Sequence, residues 1–551
     1  MEFAKEDNSK TPSSFCTICT NICKQELVLW ILTLSIHHKG ANVYIMCDNA
    51  SKNEIDNLTP DMNERLNIKW FVELDEYSNK SRREMERDGS WDKFLKNKMK
   101  VMKIALENEE DTLFLDSDII ILDKINDINK NKQVGLSPQY IKEKNVEEVG
   151  YYNAGMLWTN SKEVCDYWVE ITEPNNSCAE QIHMKKLEKY DYFIFKDNYN
   201  LQTWRFVIGQ EDGETIAGYM KPKNGKIYYK NKPLKCIHTH FTVQAFQQIN
   251  SLFLLKLQQA KCYKELSCIY RSINNKWIMT VPAQPQPGLW YHKNDSFREL
   301  SLLQKKNNKD VDVQLNKDSG HCWLVPNVIL YDRPNNTWYN NEFHKAGLVM
   351  LGNMDKEVEG IELMEKGVNI KPWTFWPRRP YVVETILEKE GILGWDKRDI
   401  ESIFVGNFEN KIQEKYRKTD DDWEKVLDVY HCTAGKKHKF SQEEYLNMLR
   451  RSKYGLCLRG YGKKCHREVE CMAWGTVPLI TNEVCISSYI NPPKEGVHYI
   501  RVHDREDMKR KMVGVRQERW KKMSDACVEW YKENVHSKGS WNTTIKNILY
   551  N

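Results

Sequence analysis

The stretch Asp111–Leu122, "DTLFLDSDIIIL", decides the reading of the fold. Leu113, Phe114 and Leu115 read as a buried strand, and Ile119–Leu122 resume the apolar run. Between them stand Asp116 and Asp118. In a continuous strand, residues i and i+2 project from one face, so the two carboxylates are expected to point the same way. Acids that close repel each other, and burial disfavours the charged form of each. A cation between them relieves both costs, and hard divalent cations take oxygen ligands. The bland reading is a strand end with two solvated acids, and the flanking chain decides between the two.

Working outward, residues 15–122 alternate strand and helix. "FCTICT" reads as a strand, and "CKQELVLWILTLSIHHKG" as a helix stopped at Gly40, a good C-cap. "NVYIMCD" is a second strand ending in Asp48, "KNEIDNL" opens a helical stretch, and "IKWFVEL" is a third strand. "WDKFLKNKMKVMKIALENE" is an amphipathic helix leading into the Asp-Ser-Asp strand. This alternation predicts a parallel sheet with helices on its faces. Such sheets bind ligands at the carboxyl ends of their strands. Thr17, Thr20, Asp48 and the Asp116/Asp118 pair all fall in or near such ends.

The chain has 551 residues, 40% of them apolar and 11% aromatic, enough for roughly three to four domain-sized units. A net charge of +5 is small for this length, and basic clusters such as "KNKMK" (Lys96–Lys100) and "GKKHK" (Gly435–Lys439) are scattered among acids. That is no nucleic-acid footprint. The opening "MEFAKEDNSKTPSSF" lacks an apolar secretion segment, and the run Leu27–Ile36 is too short for a bilayer span. A cytoplasmic chain without a membrane span is expected. The sixteen cysteines are mostly single residues in apolar segments, where free thiols pack as small hydrophobes. The exception, Cys16, Cys19 and Cys23 in "CTICTNIC", has no fourth ligand at matching spacing, so a strand running into a helix is expected there in place of zinc.

Downstream, "GYYNAGMLWTN" (Gly150–Asn160) is a turn and an apolar strand, and "SCAEQIHMKKL" begins a helix carrying Glu180 and Gln181. In "LKCIHTHFT", His238 and His240 alternate on one face of a short strand. Two carboxylates with an imidazole suit Mn²⁺ better than Mg²⁺, because of the nitrogen ligand. Such an ion clamps a diphosphate and offsets charge on a leaving group.

The pieces "FCTICTN", "LFLDSDIII", "NAGMLWTN", "AEQ" and "CIHTHF" stand in the order of a GT-A glycosyltransferase of the nucleotide-diphospho-sugar transferase kind, which residues 15–242 resemble in a glycogenin-like layout. The resemblance implies a GT-A mixed sheet with helices on both faces. It places Thr17 and Thr20 near the nucleotide base, with Asp48 and Ser117 also in the donor pocket, and lets Lys98 reach donor phosphates. Asp116 and Asp118 bind metal and ribose, and one of His238 and His240 completes the Mn²⁺ (or Mg²⁺) shell. Asn153, Ala154 and Gly155 border the sugar with Glu180 and Gln181, and Asn153, Glu180 and Gln181 are the implied catalytic residues. Glu180 stands where the family commonly shows Asp. Related enzymes mostly retain the anomeric configuration.

Residues 243–310 read as a helical connector with a Pro-rich break, "VPAQPQPGLW" (Val281–Trp290), and a second α/β pattern begins near His321. "RRSKYGLCLRGYGKKCHREVECMAWGTVPLIT" (Arg450–Thr481) resembles the nucleotide-binding half of exostosin-like GT-B glycosyltransferases. The matching residues are Ser452, Lys453 and Tyr454, Arg459 and Gly460, Arg467 and Glu470, then Gly475, Val477 and Pro478. A helix start after a loop with Gly460 and Gly462 favours phosphate. Arg459 and Arg467 offer planar donors to its oxygens, and Glu470 is placed to accept from ribose hydroxyls. The resemblance implies donor binding by Arg459, Gly460, Arg467 and Glu470 without metal, in a Rossmann pair whose first half is short. The expected boundaries are 1–245 for the GT-A domain, 246–310 for the connector, 311–395 for the acceptor-side half, and 396–551 for the nucleotide-sugar half with its C-terminal helices.

The leading expectation is a bifunctional glycosyltransferase (hexosyl- or pentosyltransferase) acting on an oligosaccharide or glycoprotein glycan with nucleotide-sugar donors. One alternative keeps the first activity and makes the second module a carbohydrate-binding scaffold. A remote one, a phosphohydrolase of the haloacid-dehalogenase type, wants D-x-D-x-[TV], whereas Ile120 occupies the fifth place here.

Overall fold

The computed structural model describes residues 10–56, 62–172, 178–241, 246–282, 295–316, 322–324, 327–331, 343–352, 364, 367–418, 422–435, 438–460 and 462–551. The chain divides into two compact units, Met1–Lys276 and Trp277–Asn551. Both are α/β, with helices packed on mixed or parallel sheets.

The first unit is built on strands β1 (Ser14–Cys19), β2 (Asn42–Cys47), β3 (Asn67–Val72), β4 (Thr112–Leu115), β6 (Val134–Pro138), β7 (Tyr152–Thr159) and β8 (Tyr192–Ile194), in the order β3-β2-β1-β4-β7-β6-β8. β1 runs parallel to β2 and β4, while β7 is antiparallel to β4 and β6. Strand order reverses between β1 and β4, which opens a crevice at their carboxyl ends. A second sheet joins β5 (Ile119–Ile121), β9 (Leu201–Gln202) and β13 (Cys236–His238), with β13 in the middle. β10 (Met220–Lys223), β11 (Lys226–Tyr229) and β12 (Lys232–Pro233) form an antiparallel meander.

The helix Lys24–His37 is buried from Glu26 through Ser35. A helix apolar on every side belongs inside, and this one is wedged against β5 and the helix Tyr263–Asn274. Asn97–Ala105 buries Met99, Val101 and Met102 on the other sheet face, against Trp168.

Three local expectations change. The Asp-Ser-Asp run is not continuous strand: β4 ends at Leu115, residues 116–118 turn, and the Ile119 N–H donates to Asp116 O at 3.0 Å. The cause is a change of sheet, since β4 pairs with β1 and β7 whereas β5 pairs with β13. Glu180 and Gln181 lie in a turn before the 3-10 helix Met184–Lys189: Cys178 O accepts the Gln181 and Ile182 N–H groups, while the two side chains reach Lys98, Ala154 and Val149. β13 stops at His238, so His240 lies beyond the strand.

The second unit carries a six-stranded sheet of β14 (Trp277–Pro282), β15 (Val311–Asn316), β16 (Cys322–Leu324), β17 (Val328–Tyr331), β18 (Leu348–Leu351) and β19 (Ile370–Pro372), in the order β15-β14-β16-β17-β18-β19. A five-stranded, all-parallel sheet follows: β20 (Ile400–Phe408), β21 (Val429–Ala434), β22 (Ser452–Cys457), β23 (Val477–Ile480) and β24 (Ile500–Arg501), ordered β21-β20-β22-β23-β24. Its core packs Leu446, Val469, Trp474 and Trp530. The stretch 246–310 is not a free-standing connector. Helices Gln247–Gln259 and Tyr263–Asn274 belong to the first unit, while β14 and the helix Asp295–Asn307 belong to the second. The amphipathic face of Tyr263–Asn274 is buried on Lys24–His37, and β14 is hydrogen-bonded on both edges. The first half of this unit therefore begins near residue 277, and its sheet is longer than a start at 311 implies. The Pro-rich residues 283–290 lie outside the described residues.

Candidate functional site

The turn that follows β4 fixes Asp116, whose N–H donates to Gly155 O on β7 at 2.9 Å. Asp118 comes from the same turn, and His238 from the end of β13. His238 Nε2 stands 3.0 Å from Asp118 Oδ1 and 3.9 Å from Asp116 Oδ2. His240 Nδ1 approaches the other Asp118 oxygen at 2.9 Å and Glu26 at 3.6 Å. Two compact donor groups thus share Asp118: Asp116–Asp118–His238 and Glu26–Asp118–His240.

Several features fit the first group to a divalent cation. Asp118 Oδ1 is buried and accepts no hydrogen bond of proper geometry, despite its short contact with His238. Gly155 lies directly beneath: a Cβ there would fall 2.7 Å from Asp116 Oδ2 and collide with the His238 ring. Two carboxylates and an imidazole form a mixed oxygen–nitrogen set suited to Mn²⁺.

The charged groups of the cluster shift one another. Burial pushes the Asp116 carboxyl up, with Lys98 pulling it down and the negative Asp118 adding to the rise. Asp118 is held well below the usual carboxylate range, because His238 and His240 outweigh its burial. His240 is pushed up to about 11 against its burial, by Asp118 and Glu26. Lys98, itself buried, bonds Asp116 at 2.9 Å and Glu180 at 3.1 Å. Both carboxylates raise its ammonium above the ordinary lysine value despite desolvation.

The remaining predicted residues of this half lie on β1 and β7 or in turns and loops of the first unit. Thr17 is fully buried in β1 with an unpartnered hydroxyl. Thr20 follows the strand and accepts the Cys23 N–H through its carbonyl. The Asp48 carboxylate accepts the N–H groups of Asn21 and Ser51, both at 2.9 Å, so it braces the loops after β1 and β2. The Ser117 hydroxyl faces the Cys19 thiol. Gln181 Oε1 accepts from the Ala154 N–H at 3.3 Å and its Nε2 donates to Val149 O at 2.7 Å. Asn153 is turned toward His238. Among the described residues, Cys16, Cys19 and Cys23 form no metal-capable group.

In the second unit, the carboxyl ends of β20 and β22 and the start of His466–Ala473 meet. Strand order reverses between β20 and β22. Arg467 packs over the Phe404 ring at 4.3 Å, and its Nη2 donates to Val405 O at 2.6 Å. Its Nε and Nη1 are buried without partners. The neighbouring Arg417 donates to Arg459 O at 3.2 Å, to Asn407 O and toward Cys465 Sγ. Burial and the Arg467 charge push its guanidinium down. Among the described residues, neither arginine pairs with a carboxylate. Burial pushes the Glu468 carboxyl up to about 8 against the pull of Arg467 and Arg417, and it accepts the Cys465 N–H at 3.0 Å. Gly460 borders Arg417, where a Cβ would lie 2.9 Å from Nη2, and Arg459 lies over Tyr416 at 5.0 Å. Glu470 uses one oxygen on the Arg378 N–H and the other on the Tyr445 hydroxyl, each at 3.0 Å.

Sequence reasoning missed Glu26, Asn200 and Arg417. Glu26 had a usable signal, as the acid in the otherwise apolar core of a helix. Asn200 and Arg417 had none: Asn200 gains its setting from Ser137 and Asn153, and Arg417 from backbone carbonyls of Asn407 and Arg459.

No helix among the described residues is long and apolar enough to cross a membrane. No protein-family model and no curated protein matches the sequence. Among solved structures, the chain is similar to the galactosyltransferase LgtC in complex with donor and acceptor sugar analogs, at 11% identity and a TM-score of 0.29 over 43% of this chain and 94% of that one. It is similar to the glycosyltransferase GlyE of Streptococcus pneumoniae TIGR4, at 10% identity and 0.29 over 92% of this chain and 98% of that one. It is also similar to the bifunctional glycosyltransferase WbbM, at 10% identity and 0.27 over 35% of this chain and 40% of that one. Likenesses of this size assign no activity to this chain.

Proposed function

We propose that the first unit transfers a glycosyl group from a nucleotide-diphosphate sugar to a hydroxyl of a glycan. The observation that carries this reading is the half-buried Asp116–Asp118–His238 group, with an unsatisfied Asp118 oxygen, at the crevice between β1 and β4. When bound there, a divalent cation supplies charge to hold the diphosphate and to stabilise it as it leaves. Asp116, Asp118 and His238 would hold that cation. Lys98 offsets the charge of Asp116 and Glu180 and holds the two carboxylates together. Thr17 and Thr20 line the end of β1, where a base would lie, and Ala154 and Gly155 lie on β7 beneath the reacting sugar. In the transfer, the bond from the anomeric carbon to the diphosphate oxygen breaks, one to the acceptor oxygen forms, and the acceptor proton is released. Retention of configuration belongs to the same reading.

The second unit, in this proposal, performs a second transfer without metal. Support comes from two buried guanidiniums, Arg417 and Arg467, that lack a carboxylate partner and face a helix start beside Gly460. An uncompensated buried cation is costly, and a phosphate dianion offsets two at once. One observation favours the reading in which this unit binds glycans or acts as a scaffold: both Glu470 oxygens are already used within the protein.

The test is nucleotide-sugar hydrolysis followed by product mass, with each donor in turn, with Mn²⁺ and with excess chelator. The proposal expects one donor consumed only with Mn²⁺ and another consumed in both conditions. One added sugar under every donor favours the scaffold, and aryl-phosphate hydrolysis in place of either reaction overturns the transferase reading.

A further inference from the structure

The imidazole of His238 sits in a chain of buried polar groups that the proposed reaction has not yet used. Its Nδ1 lies 3.2 Å from Asn153 Oδ1. The same oxygen accepts from Asn200 Nδ2 at 2.9 Å, and Asn200 Nδ2 also donates to Ser137 Oγ at 3.1 Å. Asn153 is 3% exposed, Asn200 2% and His238 3%, so water does not compete for these bonds. The His238 carbonyl is pinned separately by the Thr203 N–H and hydroxyl, both at 3.0 Å, and Trp204 packs edge-on against the ring at 4.8 Å.

An amide oxygen can only accept. With Asn200 donating into Asn153 Oδ1, that oxygen can meet His238 Nδ1 favourably only if Nδ1 carries the proton. Displacement of the Nε2 proton by a cation then leaves the lone pair on Nε2, the atom that faces Asp118 and Asp116. Metal-binding imidazoles are commonly fixed in this way, by an acceptor on the other nitrogen. We infer that Asn153 and Asn200 are positioning residues that hold His238 as the Nδ1–H tautomer and present Nε2 to a divalent cation. Asn153 then serves the imidazole through its oxygen, in place of contacting the sugar. The inference rests on the metal reading of the first unit.

The experiment is Mn²⁺ titration calorimetry on the full chain, with ¹⁵N spectroscopy of the His238 ring in cation-free protein. The variants are Asn153→Asp, Asn153→Leu and Asn200→Ala. Asn153→Leu removes the acceptor and should weaken Mn²⁺ binding about tenfold or more. Asn153→Asp keeps an acceptor at the same place and should bind Mn²⁺ at least as well as wild type. Asn200→Ala falls between them. The ring spectrum should show Nδ1 protonated in wild type and in Asn153→Asp, and a changed tautomer balance in Asn153→Leu. Wild-type affinity in Asn153→Leu overturns the inference. So does an equal loss in Asn153→Asp, which would mean the amide N–H is what matters. If wild type binds no Mn²⁺ at all, the metal reading fails, while the ring spectrum still decides whether Asn153 sets the tautomer.

Discussion

The two units place their polar centres at the same kind of point and give them opposite charge. In the first, strand order reverses between β1 and β4, and the crevice gathers Asp116, Asp118 and Glu180 around Lys98 and two histidines. In the second, it reverses between β20 and β22, and the crevice gathers Arg417 and Arg467, neither of them ion-paired with a carboxylate among the described residues. The topology explains why a site is there, since strand ends and helix starts diverge at such points. The side chains decide what it binds. An acid-lined crevice accepts a diphosphate only with a cation between them, whereas a guanidinium-lined one accepts it directly.

The largest expected effect breaks the first half of this contrast. Asp118→Asn removes the carboxylate shared by both donor groups, and should cut the Mn²⁺-dependent transfer by about 10²-fold or more while leaving the fold intact. Comparable rates in the variant, by product mass, would contradict the cation assignment. Next, Arg467→Met replaces a buried, partly unpartnered cation with an apolar chain. It should abolish protection of the protein by pyrophosphate against thermal unfolding. Without ligand, stability should hold or rise, by about 1–4 kcal/mol. A loss of several kcal/mol without ligand would show that the guanidinium is structural.

The contrast extends to pH. His38 in the first unit is held down at about 3 by burial, and accepts the Ile125 N–H on Nε2 at 3.1 Å. Its folded value lies below the unfolded one, so its contribution is present above about pH 6.5 and is lost as pH falls toward 3. Glu468 in the second unit is raised to about 8. Its contribution is present below about pH 4.5 and is lost as pH rises through 8, at up to about 1.4 kcal/mol per pH unit. Denaturant unfolding from pH 4 to 9 should show His38→Asn flattening the acid side and Glu468→Gln the alkaline side. Identical pH profiles for both variants would remove the distinction. The smallest effect belongs to Thr17→Val. The hydroxyl has no partner, so stability should change by no more than about 0.5 kcal/mol, while binding of a nucleoside diphosphate weakens if the hydroxyl meets the base.

Much of this was legible in the chain. The apolar runs of β1, β2 and β4 and their alternation with helices set the first sheet, and "LFLDSDIII" marked the candidate site. What the run could not tell is that Asp116 and Asp118 converge through a turn between two sheets, because the partner strands β7 and β13 lie 30 or more residues away in sequence. The alternation of His238 and His240 suggested one strand face, yet both reach Asp118 because the chain leaves the strand after His238. The second unit was harder. Arg467 stood out beside Gly460, but Arg417 acquires its place only through bonds to Asn407 and Arg459. The sheet beginning at Trp277 was hidden because "WIMTVP" precedes a Pro-rich stretch and reads as an isolated run.

The central claim is that one chain holds diphosphates in two ways, one through a cation and one through arginines. Titration calorimetry of the full chain with uridine, guanosine and adenosine diphosphates in turn, in excess Mn²⁺ and again in excess chelator, tests it most directly. The account predicts two sites across these ligands with Mn²⁺ and one with chelator, the surviving site being absent in Arg467→Met and the lost one absent in Asp118→Asn. Two sites that persist in chelator, or none that does, would contradict it.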